Sequence, residues 1–140
     1  MRRENGIARC GLACCVCCEQ DDCRGCDSDD CRYKDACQNR KCSREKGLRY
    51  CGQCPETDCR KDVLSELKPR AFNEFIRRYG VEKLMDCLER NEAAGIVYHR
   101  SKTDLYGDYD DPDNVEDIIE LILTGKVGKG TDKKRRNHPC

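Results

Sequence analysis

"CGLACCVCCEQDDCRGC", residues 10–26, holds three cysteine pairs, Cys14/Cys17, Cys15/Cys18 and Cys23/Cys26, each with two residues between its members. Working outward, Cys51/Cys54 repeats that spacing, and Cys31, Cys37, Cys42 and Cys59 follow at longer steps. Thirteen of the fifteen cysteines fall between Cys10 and Cys59. A Cys-x-x-Cys turn points two sulfurs at one place, and two such turns complete a tetrahedral thiolate site. The pattern predicts a front module organised by metal.

The rest of that stretch agrees. Ile7, Leu12, Val16 and Leu48 are nearly all the branched aliphatic residues before residue 60. So little apolar surface cannot offset the entropy of ordering the chain. Metal–thiolate bonds are therefore expected to supply much of its folding free energy. A disulfide scaffold would need an oxidising compartment, yet "MRRENGIARCGLACC" has no apolar run of signal length. Fifteen is also an odd number, which leaves one thiol over. The expectation is a reduced, cytoplasmic protein, with no segment that spans a bilayer.

Over 140 residues the formal charge is zero, 39% of residues are charged, and tryptophan is absent. The neutrality hides a partition between an acidic stretch, Asp104 to Glu120, and a basic tail containing Lys133, Lys134, Arg135 and Arg136. No basic stripe with interleaved aromatics supports nucleic-acid binding, so the tail reads as a solvated end. Cations also alternate with the thiols, among them Arg9, Arg40, Lys46 and Arg49. Four thiolates around a divalent ion leave excess negative charge that such groups offset.

Beyond the cysteines the periodicity is helical. "PRAFNEFIRRYG" (69–80) places Phe72, Phe75, Ile76 and Tyr79 on one face, with Gly80 as a stop. "VEKLMDCLERNEAAG" (81–95) carries a stripe of Val81, Leu84, Met85 and Leu88, with Cys87 at its edge as a small buried hydrophobe. A third helix starts after a capping Asn114, buries Val115, Ile118, Ile119, Ile122 and Leu123, and ends at Gly125. "CSREKG" (42–47) reads as a short helix inside the cysteine region. The fold expected is mainly α. A cysteine-rich, knuckle- or ribbon-like metal module with little regular structure covers 1–62, a helical segment packed on it covers 63–125, and a basic flexible tail covers 126–140.

The candidate metal ligands are Cys10, Cys14, Cys17, Cys23, Cys26, Cys31, Cys37, Cys42, Cys51, Cys54 and Cys59. Cys51/Cys54 closed by Cys37/Cys42 makes one four-sulfur site, and Cys14/Cys17 with Cys23/Cys26 makes another. Cys10, Cys31 and Cys59 then form a third site or replace a ligand in these two. Zinc is the default metal, and an iron–sulfur cluster is the rival. Cys10-x-x-x-Cys14-x-x-Cys17 has the spacing that radical S-adenosylmethionine enzymes use, but those need a barrel far longer than this chain. Cys15, Cys18 and Cys31 are the thiols expected to include a reactive one. Cys140 lies on the tail, without a partner at ligand spacing.

Groups for other chemistry are few. His99 reads as a histidine packing a helix end rather than as a proton carrier or ligand. Asp108, Asp110 and Asp111 lack the calcium-loop pattern and read as a solvated acidic loop. No phosphate loop, dinucleotide motif or nucleophile–base arrangement occurs.

Taken together, Cys10-Gly11-Leu12-x-Cys14-x-x-Cys17, Cys23-x-Gly25-Cys26, Arg40-Lys41-Cys42, Glu45-Lys46-Gly47 and Cys51-x-x-Cys54-Pro55-Glu56 with Cys59 resemble one family. It is the small cysteine-rich family known as domain of unknown function 3795, found mainly in anaerobic bacteria and archaea. The resemblance continues through Gly95-Ile96-Val97-Tyr98-His99-Arg100 and Gly107-Asp108-Tyr109-Asp110. This chain departs from the pattern in its extra Cys15 and Cys18, in Asn39 where isoleucine is usual, and in Thr57-Asp58 for an aromatic–proline pair. The resemblance implies metal binding and brings no established reaction. Three roles follow: a zinc-stabilised interaction protein with an unidentified protein partner, an iron–sulfur electron carrier, and a thiol-based metal handler.

Overall fold

The computed structural model describes residues 1–18, 23–26, 28 and 30–126. The basic tail from residue 127, with His138 and Cys140, lies outside the described residues. Among those described there are four α-helices and five short 3₁₀ turns, and no strand. The chain is mainly helical and cysteine-rich, and no described helix is long and apolar enough to cross a membrane.

The conventional core forms where the 3.6-residue periodicity places it. Helix α2, Leu67–Tyr79, buries Ala71, Phe72, Phe75 and Ile76. It begins two residues before Pro69, which sits in the first turn where its missing N–H is no loss. Gly80 ends it, and α3, Val81–Ala93, follows at once, burying Leu84, Met85, Cys87 and Leu88. Helix α4, Val115–Thr124, is capped by Asn114, whose Oδ1 accepts from Asp117 N at 2.8 Å. It buries Ile118, Ile119, Leu121 and Ile122 against α2 and α3, and Gly125 stops it in the left-handed region at φ 68.

Helix α1, Gln38–Glu45, starts four residues earlier than "CSREKG" suggests. The Cys37 sulfur caps it by accepting from Arg40 N at 3.4 Å. Its inward residues are polar, Asn39 and Ser43, so no apolar period marks it. Asn39, 1% exposed, donates to Lys61 O at 3.0 Å and accepts from Val63 N at 3.2 Å. Those two bonds fasten α1 to the Asp62–Ser65 turn where packing would normally do so.

The beginning of the chain joins the helical core. Ile7, Ala13 and Cys15 are buried in one cluster with Phe72, Leu88 and Ile118. Ala13 N donates to Tyr98 Oη at 3.0 Å, and Asn73 Nδ2 donates to Cys10 O at 2.5 Å. Tyr98 belongs to an aromatic trio with Phe72 and Tyr109, centroids 5.5 to 6.2 Å apart.

The acidic stretch is a correction to the reading of a solvated loop. Asp108 is 1% exposed and accepts from Val97 N at 2.8 Å. Asp110 accepts from Gly107 N at 2.7 Å and pairs with buried Lys68 at 2.9 Å. Lys68 also lies 4.2 Å from the Tyr98 ring centroid. Asp111, the third of these carboxylates, is half-buried.

Candidate metal centre

Two of the Cys-x-x-Cys segments use the same local device. Cys14–Val16 and Cys51–Gln53 are single 3₁₀ turns, closed by Cys17 N to Cys14 O at 3.3 Å and Cys54 N to Cys51 O at 3.0 Å. Such a turn brings its first and fourth side chains to one side. The second turn is seated on α2. A Cβ on Gly52 would lie 2.8 Å from Asn73 O and 3.0 Å from the Ile76 side chain, so only glycine fits that approach. Cys51 N also donates to Arg9 O at 2.6 Å, which ties the turn to the front loop.

Cys51 and Cys54 then line a cavity of about 530 Å³ together with Cys42 of α1 and Cys59. Lys46 Nζ lies 3.4 Å from Cys54 Sγ, and Lys61 Nζ lies 3.4 Å from Cys42 Sγ. Those contacts raise both ammonium pKa values. Burial, then the charges of Cys42, Cys59, Cys54 and Cys37, push the Cys51 thiol up to about 11. Cys37, grouped with Cys42 by spacing, is absent from the cavity wall, and Cys59 is present there.

The other candidate ligands gather at the front loop. Burial drives Cys10 and Cys14 well above the ordinary thiol range. Cys37, Cys26 and Cys51 add repulsion at Cys10, and Cys10, Cys26, Cys17 and Cys23 add it at Cys14. Burial also raises Cys31, followed by repulsion from Cys23 and Cys37. Here two backbone amides donate to sulfur, Arg9 N to Cys26 at 3.3 Å and Arg40 N to Cys37 at 3.4 Å.

Among the described residues, no three His, Cys, Asp or Glu side chains are arranged to hold a metal ion. The thiols are near enough to repel one another as thiolates without converging on one point. By donor chemistry the residues fit a soft metal. The cavity set offers four sulfurs and two ammonium donors to them, and the front set offers more sulfurs with amide donors.

Three candidates stand apart. Cys15 is buried in the core and its thiol is pushed up to about 11 by burial, the opposite of a reactive thiol. Cys87 is 2% exposed in the helical core, as its stripe position suggests. His99 is buried, stacked on Tyr98 at 4.6 Å between centroids, with Nδ1 4.0 Å from Cys18 Sγ. Burial, and then the Lys68 charge, lower its pKa to about 4.

Two contributors escaped the sequence reading. Lys61 follows Cys59 by two residues, a nearness to a ligand that could have flagged it. Asn73 ties the Cys10 loop to α2, but on α2 it reads as a polar residue between apolar ones. No family model, curated protein or solved structure matches the chain.

Proposed function

We propose that this chain is a metal-binding protein of the cytoplasm that holds zinc through cysteine thiolates in a structural or interaction role. The resemblance to the cysteine-rich family supports the reading, and one observation carries it. Cys42, Cys51, Cys54 and Cys59, drawn from a helix, a 3₁₀ turn and a loop, share one cavity wall with two lysines hydrogen-bonded to their sulfurs. Separate elements have no packing reason to bring four thiols and two ammonium groups together. A soft cation supplies the reason, because it would draw the sulfurs inward and remove their mutual repulsion. Four thiolates leave no open position on a tetrahedral ion, which suits structure better than Lewis-acid catalysis.

The iron–sulfur reading keeps one specific support. Amide N–H groups of Arg9 and Arg40 donate to the sulfurs of Cys26 and Cys37, and such bonds also set cluster potentials. Elemental analysis after anaerobic purification under reducing conditions decides between them. The expected result is zinc and a colourless protein; brown protein containing iron and sulfide moves the assignment to a cluster. Replacing Cys51 or Cys54 by serine should lower the content by about one ion, and Cys87→Ser should leave it unchanged. Equal loss in Cys87→Ser and Cys51→Ser would overturn the ligand assignment.

A further inference from the structure

Resting on that reading, we propose that Cys42, Cys51, Cys54 and Cys59 form one metal site in which Lys46 and Lys61 act as built-in counter-cations. Four thiolates around a divalent ion carry two excess negative charges. Cations held at the sulfurs therefore stabilise the loaded form. Lys46 directly follows α1 and reaches Cys54 Sγ at 3.4 Å. Lys61, just before the Asp62–Ser65 turn, reaches Cys42 Sγ at 3.4 Å. The two ammonium groups thus meet different sulfurs from different elements, one charge to each of two corners.

Competing acids are weak partners. Glu56 is 3.7 Å from Lys46, and both side chains are substantially exposed, so that pair is screened by water. In the front group the amides of Arg9 and Arg40 donate to Cys26 and Cys37. Ammonium groups suit the cavity wall, where their free N–H groups reach water. Backbone amides thus meet sulfurs of the front group, and ammonium groups meet sulfurs of the cavity wall. Lys46 and Lys61 are positioning residues for the cavity-wall set.

Chelator competition on the reduced full chain loaded with zinc tests this, using wild type, Lys46→Met/Lys61→Met, Lys46→Arg/Lys61→Arg and Cys59→Ser. Both lysines are exposed, so helical circular dichroism should be the same in all lysine variants. The methionine pair should weaken one ion's affinity by roughly tenfold to a hundredfold, the usual cost of losing a partner to a ligand. The arginine pair should stay near wild type, and the gap should narrow as salt rises. In the Cys59→Ser background, which lacks that ion, the methionine pair should change nothing further. Unchanged affinity in the methionine pair, or a persisting effect in the Cys59→Ser background, overturns the lysine role and leaves metal binding intact. A wild-type chain that takes up no zinc overturns the function reading itself.

Discussion

At Gly52 the Cys51–Cys54 turn lies so close to α2 that a methyl group would sit 2.8 Å from the Asn73 carbonyl oxygen. Gly52→Ala must push the turn off the helix. We expect a loss of about 1–3 kcal/mol, as for other overpacked contacts, read as a lower urea midpoint. An unchanged midpoint would show that the turn is not seated as described. His99 makes a second residue-scale prediction. Its folded pKa of about 4 lies below the ordinary 6.5, so on acidification the unfolded chain takes up the proton first. Stability should therefore be complete above pH 6.5 and fall between 6.5 and about 4, by up to roughly 2 kcal/mol at pH 5. His99→Gln should flatten that part of the profile, and an identical acid slope in wild type and variant would count against a buried neutral imidazole.

Helix α2 is fastened to the segment between α3 and α4 by Lys68, whose ammonium lies 2.9 Å from Asp110 and 4.2 Å from the Tyr98 ring centroid. Lys68→Met leaves a largely buried carboxylate without its cation and should cost about 3 kcal/mol. Adding Asp110→Asn should restore part of the loss in a double-mutant cycle, and strict additivity would argue that the two do not interact. The elements differ in how far the sequence reveals them. Helix α4 was legible to its ends, because Asn114, the Ile118–Ile122 stripe and Gly125 each carry a local signal. Helix α1 was misplaced because its inner face is Asn39 and Ser43, held by hydrogen bonds that leave no apolar period. The buried Asp108 and Asp110 were misread for a related reason, since their partners, Val97 N and Lys68, are distant in sequence. In the candidate site the cysteines were visible from spacing. That Cys59 rather than Cys37 shares the cavity wall was not, because it depends on how α1 and the turn at Gly52 sit on α2.

Across the whole molecule two means of cohesion meet. Residues 7–15 are tied to the helices by Ile7 and Cys15 in the common core, by Ala13 N to Tyr98, and by Asn73 to Cys10. Residues 31–62 contribute little to that core, and their inward groups are thiols and polar side chains. Metal should therefore matter most to 31–62, less to the front loop, and least to α2, α3 and α4. Hydrogen exchange by mass spectrometry, under reducing conditions with and without a strong chelator, tests this directly. The account predicts that chelation strips protection from residues 31–62 while the amides of α2, α3 and α4 keep most of theirs. Protection of residues 31–62 that persists unchanged after metal has been removed would contradict it.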